Sequence, residues 1–255
     1  VRVSNISSYD RKAKSVGIEN GATISYEMKR GLHTPPKTEW LNGNTLRVFS
    51  VPNKTPLEAG QYYRMQHNYY EMGGILLSNN THTTLRNVNI FSCAGQAIVF
   101  NKAQKYTYLK NVSVDVPEGI PRRPLSSTAD HLIFSQSAGF VKLEDCDFGF
   151  GCDDCINMHD NSVFARKTSE FALTGKRMGN NLKVGDTVEF RHGDYSPANY
   201  TGKIASIKLI DKKNNIWETT FENPLPEVKD DGFVLFNNDF NTHNVIVRNC
   251  FFHHN

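Results

Sequence analysis

Short segments of alternating apolar and polar residues, rich in Val, Ile, Phe and Thr, run along most of the chain. Asn, Gly and Asp interrupt them, as is typical of the ends of strands. No convincing stretch places apolar residues at positions i, i+3, i+4 and i+7, which is the pattern of an amphipathic helix. The pattern therefore predicts an all-β protein.

Four segments resemble one another, at 81–93, 104–116, 137–149 and 241–254. In each, a β segment ends at a polar anchor residue that is followed by an apolar residue or Cys. The anchors are Asn87, Asn111, Asp145 and Asn249. The first two anchors are 24 residues apart, a repeat length that fits one coil of a parallel β-helix. We expect the anchors to stack at a turn. Beside them we expect a column of inward-facing apolar side chains, made of Val88, Val112, Cys146 and Cys250.

The later repeats are further apart, which predicts two insertions between coils. The segment 117–127, PEGIPRRPLSS, has the Pro, Gly and Ser content of a loop. The stretch 163–240 instead has its own alternating strands, separated by turns such as KVGD and DKKNN. This pattern predicts a small antiparallel β-barrel inserted into the β-helix.

These patterns divide the chain into four parts. Residues 1–65 are an irregular β segment, 66–162 are β-helix coils, 163–240 are the inserted barrel, and the β-helix resumes at 241–255. The sequence stops within a repeat, and an open coil would expose unpaired backbone and core side chains. We therefore expect the chain to be a segment of a longer polypeptide.

Composition and charge narrow the classes of function. Hydrophobic residues make up 38% of the 255 residues, which suits a folded protein. The formal net charge is only +3 and no basic stripe stands out, so a nucleic-acid partner has little support. No run of about 18 apolar residues predicts a membrane helix. The five irregularly spaced cysteines do not form the pattern of a disulfide scaffold.

Three aspartates are candidates for catalysis, namely Asp130, Asp153 and Asp154. Asp130 and Asp153 are 23 residues apart, close to one coil, so all three should converge on one side of the solenoid. Repulsion between like charges should raise the pKa of at least one of them. Two carboxyl groups with separated pKa values suit cleavage of a glycosidic bond. The alternative is that they are turn residues bonded to local backbone.

The same stretch contains a CxxC motif, Cys152 and Cys155, which could indicate redox chemistry or zinc. A redox CxxC begins a helix, but no helix pattern follows here. A structural zinc site needs four ligands, and the sequence has no second CxxC or HxxxH. We therefore expect these cysteines to pack in the coil.

The stretch TADHLIFSQSAGFVKLEDCDFGFGCDDCINMH (128–159) resembles the catalytic region of right-handed β-helix glycosidases. It is similar to the polygalacturonase family, in which Asp130 matches the first aspartate and Asp153 and Asp154 match the pair. However, Ala129 replaces the Asn of that family's NTDG segment, and no GHG segment follows.

A closer resemblance is to family-110 glycoside hydrolases, the α-1,3-galactosidases, which also carry small β-barrels inserted into a β-helix. The departure from that family's pattern is Asp160, where the family tends to have Gly. The matching positions are Ala129, Asp130, Phe134, Asp145, Cys146, Asp153, Asp154, Asn157 and His159.

The resemblance implies a right-handed β-helix that hydrolyses terminal α-1,3-linked galactose with inversion, without metal or cofactor. The substrate would be a galactose-containing oligosaccharide or glycan. Asp153 would be the general acid, while Asp130 and Asp154 would position and deprotonate the water; the opposite allocation, with Asp130 as acid, stays open. The residues implied in substrate binding are Asn157, His159 and Arg64.

The resemblance also implies a secreted or periplasmic protein, although no signal peptide is visible, and solenoids with inserted barrels can support homodimers. Two other hypotheses remain. One is a polygalacturonase-like or other β-helix glycosidase, and the other is a non-catalytic, carbohydrate-binding β-helix. The last predicts that the three aspartates are apart or bonded into turns.

Overall fold

The structure is a computed structural model that describes residues 2–16, 24–27 (backbone only), 36–49, 56–67, 70–119, 123–160, 162–229 and 231–254. Across these ranges the regular elements are β-strands, with two single-turn 3-10 helices at Met178–Asn180 and Asn238–Phe240. The predicted all-β class is confirmed. The same ranges contain no helix with the length and apolar content needed to cross a membrane.

The N-terminal part contributes a small antiparallel sheet and a separate hairpin. In the sheet, β1 lies between β2 and β5, while β3 and β4 pair with each other. Val3 and Ile6 are buried in a small cluster on this sheet. The strands are β1 (Asn5–Ser8), β2 (Ile24–Glu27), β3 (Thr38–Asn42), β4 (Thr45–Val48) and β5 (Tyr63–Gln66).

Two parallel sheets follow, and the chain passes back and forth between them; β11 and β12 are consecutive strands of the second sheet. Their strands are β6 (Ile75–Ser78), β7 (Thr81–Ile90), β8 (Ile98–Asn101), β9 (Lys105–Val114), β10 (Leu132–Ser135), β11 (Ala138–Glu144), β12 (Asp147–Gly149) and β13 (Ile156–His159). The first sheet has the order β6-β8-β10-β13. In the second, β9 pairs with β7 on one side and with β11 and β12 on the other.

A closed antiparallel barrel occupies the next part of the chain, as the turn-rich alternation predicted. Its six strands follow the order β14-β15-β18-β17-β16-β19 around a core that includes Phe190 and Phe233. The strands are β14 (Val163–Lys167), β15 (Ala172–Lys176), β16 (Thr187–His192), β17 (Pro197–Asp211), β18 (Ile216–Phe221) and β19 (Phe233–Asn237).

After the barrel the chain returns to the second parallel sheet, as the fourth repeat predicted. Strand β20 (Thr242–Arg248) pairs in parallel with β11, and β21 (Phe251–His253) pairs in parallel with β12. Both strands thus extend the second parallel sheet beyond the barrel.

The repeat anchors lie at equivalent positions of the second parallel sheet, but not all at a turn: Asn87 and Asn111 lie within β7 and β9, while Asp145 and Asn249 lie in the short breaks after β11 and β20. All four have a left-handed backbone, with φ between 51° and 55°. Among non-glycine residues Asn and Asp tolerate this conformation best, because their short polar side chains can bond locally. The side chains also bond to each other across coils: Asn111 Nδ2 donates to Asn87 Oδ1 at 2.9 Å, and Asn249 Nδ2 donates to Asp145 Oδ1 at 3.2 Å.

The core between the two sheets is formed by ladders of similar side chains. Phe100 and Phe134 stack with ring centroids 4.7 Å apart. Val88 pairs with Val112 in the register predicted by the 24-residue repeat, and Val112 and Cys146 are buried. Strand β10, which carries Phe134, also pairs in parallel with β13, and the candidate site lies at the start of these two strands.

Candidate active site

The three candidate aspartates lie at the start of two neighbouring parallel strands. Asp130 precedes β10, while Asp153 and Asp154 precede β13. Leu132 pairs with Ile156, an offset of 24 residues, and the amide of His131 donates to the carbonyl of Asp154 at 3.0 Å. The register therefore aligns Asp130 with Asp154, one residue beyond the partner that the 23-residue spacing suggested.

The side chains of these aspartates converge. One carboxylate oxygen of each lies within 4.8 Å of one oxygen of the other two. Asp130 is only 3% exposed, whereas Asp153 and Asp154 are exposed. The cluster thus has one carboxyl group set into the protein and two facing solvent.

The buried member of the cluster has a perturbed acidity. Burial is the largest cause that raises the pKa of Asp130, and the charges of Asp153 and Asp154 raise it further. A hydrogen bond from Asn157 Nδ2 to Asp130 Oδ1, at 3.2 Å, acts in the opposite direction. We expected repulsion between like charges to be the main cause; in the structure it adds to the larger effect of burial.

Asp153 accepts hydrogen bonds from a distant side chain and from its neighbour in sequence. The hydroxyl of Tyr70 donates to Asp153 Oδ2 at 3.2 Å, and the amide of Asp154 donates to Oδ1 at 3.1 Å. Tyr70 has a left-handed backbone, φ 55°, which is strained for an aromatic residue. Tyr70 was not predicted from the sequence, because this residue lies 83 positions before Asp153 and no local motif marks it.

Arg64 lies behind the loop that carries the aspartate pair. It is 7% exposed; its Nη1 donates to Cys152 Sγ at 2.6 Å and its Nη2 to Ser7 Oγ at 3.1 Å. Its Nε is buried without a partner. The guanidinium is therefore placed to support this loop, and its predicted contact with a sugar hydroxyl stays a prediction.

Asn157 and His159 lie on one face of β13, as their spacing predicted. Asn157 reaches Asp130, but His159 is exposed at the far end of the strand. Five residues separate it from Asp154, about 16 Å along an extended strand. There His159 lines a cavity of about 330 Å³ together with Glu189, Arg191 and other residues of the barrel side. The structure thus brings Asn157 into the carboxylate cluster and places His159 outside it.

The cysteines are free and largely structural. Cys155 packs against the core of the parallel sheets, and burial raises the pKa of Cys152 to about 11. A thiol of such high pKa stays protonated at neutral pH and is a poor nucleophile. This agrees with the predicted packing role.

Two groups of side chains in the described residues are close enough together to bind a metal ion. One is the cluster of Asp130, Asp153 and Asp154, and the other is Asp115, Asp147 and His253 on the second parallel sheet. Carboxylate oxygens in the first group suit a hard cation such as Ca²⁺ or Mg²⁺. The same cluster suits two kinds of chemistry, metal binding and proton transfer between carboxyl groups.

Comparison with known proteins gives three informative relatives. No protein-family model matches the chain. The chain is 27% identical over 199 residues to alpha-1,3-galactosidase B of Bacteroides thetaiotaomicron, covering 74% of this chain and 31% of the relative. It is 23% identical over 215 residues to alpha-1,3-galactosidase A of Bacteroides fragilis, covering 80% of this chain and 34% of the relative.

A third relative, alpha-1,3-galactosidase B of Parabacteroides distasonis, is 25% identical over 162 residues, covering 59% of this chain and 26% of the relative. The chain thus spans about a third of the length of the first two curated relatives and a smaller share of the third. The similarity supports a relationship with galactosidases.

Proposed function

We propose that the chain carries the active site of a glycoside hydrolase that releases terminal α-1,3-linked galactose from oligosaccharides or glycans, with inversion. The observation that carries this proposal is the cluster of Asp130, Asp153 and Asp154, in which one carboxyl group is buried and two are exposed. The names of the three relatives support the sugar and the linkage.

In the proposed mechanism Asp153 protonates the glycosidic oxygen, since it is exposed and held in place by Tyr70. Asp130 and Asp154 lie side by side on neighbouring strands and together hold the attacking water. Two oxygens up to about 5 Å apart can both accept hydrogen bonds from one water. The raised pKa of Asp130 makes it a stronger base once it is ionised, which suits removal of the water proton.

The spacing of the carboxylates favours a second candidate stereochemistry. Acid and base are roughly 6.5–9.5 Å apart in most inverting glycosidases and about 5–5.5 Å apart in retaining ones. The 4.8 Å limit between the nearest oxygens is closer to the second value. A retaining reaction would use one exposed carboxylate as nucleophile, and the anomer of the first product distinguishes the two.

The wider organisation is also part of the proposal. The alternation of strands between two parallel sheets supports a right-handed β-helix, since crossovers between parallel strands are right-handed in about 98% of cases. We propose that residues 66–162 and 241–255 form this β-helix, that 163–240 are its inserted barrel, and that 1–65 are a separate β segment. From the resemblance we further propose a secreted or periplasmic protein that can form a homodimer.

The test is hydrolysis of defined α-1,3-galactosyl oligosaccharides and of aryl α- and β-galactosides, with NMR detection of the product anomer. Wild type should release the β anomer of galactose first, and Asp153→Asn should lower kcat by about 10²–10⁴-fold. Asp160→Asn is the matched control, because Asp160 lies outside the cluster and its Oδ1, which accepts from the Ser162 amide, is kept in Asn. Wild-type activity in Asp153→Asn would exclude this residue as the acid.

The same panel separates the alternatives. A polygalacturonase-like enzyme would cleave uronate oligosaccharides in preference to galactosides. A non-catalytic solenoid would bind sugars without releasing product, and Asp153→Asn would then leave binding unchanged.

A further inference from the structure

One outer face of the barrel carries a cleft that is separate from the carboxylate cluster. The cleft lies along the β14–β15 hairpin and has a volume of about 850 Å³. The side chains used below are Phe164, Arg166, Thr168, Thr174, Lys176 and Arg177. None of the candidate catalytic residues lines it, and the proposed hydrolysis does not use it.

Strand alternation builds the floor of this cleft. Val163 and Ala165 are buried in the barrel core, so Phe164 and Arg166 point outward on the same strand. Ala165 pairs with Gly175 in this antiparallel hairpin. Phe164 therefore lies opposite Lys176 in the next pair of residues. An exposed aromatic ring is thus flanked by cations on the outer surface of the barrel.

Phe164 is 43% exposed although it is a large apolar side chain. The C–H face of a pyranose ring is apolar and fits against such a ring, because aromatic side chains offer a large, rigid hydrophobic surface. The hydroxyls of Thr168 and Thr174 lie beside Phe164. They form a hydrogen bond with each other, with their oxygens 3.3 Å apart. A ring to stack on and adjacent hydroxyl groups are the elements of a sugar-binding surface.

The charge of the lining is one-sided. Among the described residues that line the cleft, the ionisable side chains are three cations, Arg166, Lys176 and Arg177, and none is a carboxylate. Asp231 pairs with Arg166 at 3.3 Å, but both side chains are exposed, so a ligand can replace this pair at little cost. Lys176 and Arg177 make no side-chain hydrogen bond or ion pair with any other described residue.

A second acidic side chain beside this face, Glu218, does not cancel its charge. Glu218 lies beside Thr174, but its other cross-strand neighbour is Lys208. The local excess of positive charge therefore remains, although the whole chain is only +3. Arg can bind a planar carboxylate, or two oxygens of a tetrahedral sulfate, through two parallel hydrogen bonds, and a Lys beside it adds positive charge.

We propose that this face of the barrel is a binding site for an acidic oligosaccharide, with a sugar ring on Phe164 and its carboxylate or sulfate on Lys176 and Arg177. The site would hold a charged glycan chain apart from the carboxylate cluster. The inference does not depend on the proposed hydrolysis and is tested by binding alone.

The experiment is isothermal titration calorimetry of the whole chain with three hexasaccharides: hyaluronan, which carries carboxylates, chondroitin sulfate, which also carries sulfates, and neutral chitohexaose. The two acidic sugars should bind, and preference between them identifies the anion. Lys176→Gln with Arg177→Gln should weaken binding about tenfold or more, equal to about 1.4 kcal/mol. Phe164→Ala should weaken it as well, and added salt should weaken it further.

The matched control is Lys212→Gln with Lys213→Gln, which removes the same charge from an exposed turn of the same barrel. This variant should bind as wild type does. Equal binding of chitohexaose, equal weakening in the control variant, no binding of either acidic sugar, or equally tight binding of single-stranded DNA would each overturn the proposal. Circular dichroism of each variant confirms that the barrel is folded.

Discussion

Asp130 differs from its two carboxylate neighbours in the degree to which the protein surrounds it. Burial raises the pKa of Asp130, and Asn157 is the side chain that donates a hydrogen bond to it. Asp153 instead is exposed to solvent and accepts a hydrogen bond from the hydroxyl of Tyr70. At the scale of single residues, the proposed division of labour follows from these two environments.

Tyr70→Phe should lower kcat by about tenfold with little change in folding stability. The substitution keeps the ring but removes the hydroxyl that orients Asp153, and a misplaced catalytic group reduces rate through poor positioning. Steady-state kinetics and thermal unfolding measure the two effects. Tyr195→Phe, in an exposed position on the barrel, is the control and should leave kcat unchanged.

Asp130→Asn should stabilise the folded protein at neutral pH while abolishing activity. The folded-state pKa of Asp130 is raised above its ordinary value of 3.8, so the folded state holds this proton more tightly than the unfolded state. Stability of wild type therefore falls as pH rises through the window from about 3.8 to the folded-state pKa. The Asn side chain does not ionise, so the stability of the variant does not fall in this way.

Urea unfolding of both proteins between pH 4 and pH 7 checks this sign. The advantage of Asp130→Asn should grow with pH and then level off. A stability difference that is independent of pH would contradict a raised pKa.

At the scale of elements, the anchor residues link neighbouring parallel strands through their side chains. Asn87, Asn111, Asp145 and Asn249 were identified from sequence, since each follows a β segment with the same pattern. Their left-handed backbone explains the residue type, and the direct side-chain bonds between coils were visible only in the structure.

Asn111→Ala should lower the free energy of unfolding by about 1–2 kcal/mol, since a left-handed backbone is unfavourable for Ala by about this amount. Asn111→Gly is the matched variant, because Gly adopts positive φ freely and loses only the bond to Asn87. We therefore expect Gly to be tolerated better than Ala in urea unfolding. If both variants lost equal stability, backbone conformation would not be the reason for Asn at this position.

At the scale of the whole molecule, the parallel sheets and the closed barrel carry different candidate sites. The sheets hold the carboxylate cluster at the start of β10 and β13, and the barrel presents the basic cleft on its own outer face. A cavity lined by His159, Glu189 and Arg191 lies where barrel and sheets meet.

Removal of divalent metal should leave galactoside hydrolysis unchanged, because the proposed mechanism needs only carboxyl groups and water. The enzyme would be dialysed against EDTA, and its rate compared before and after addition of Ca²⁺ or Mg²⁺. A loss of rate that Ca²⁺ restores would instead assign the carboxylate cluster to metal binding.

The sequence by itself determined the strand class, the 24-residue step and the presence of a barrel, and it predicted that the three aspartates lie close together. These are periodic or local features, and the period of a solenoid is written in residues that are one coil apart. Tertiary structure decided what depends on distant neighbours: the alignment of Asp130 with Asp154, the burial of Arg64 and the bond from Tyr70 across 83 residues of sequence. Burial and cross-chain contacts arise only when separate coils pack, and no spacing within one segment encodes them.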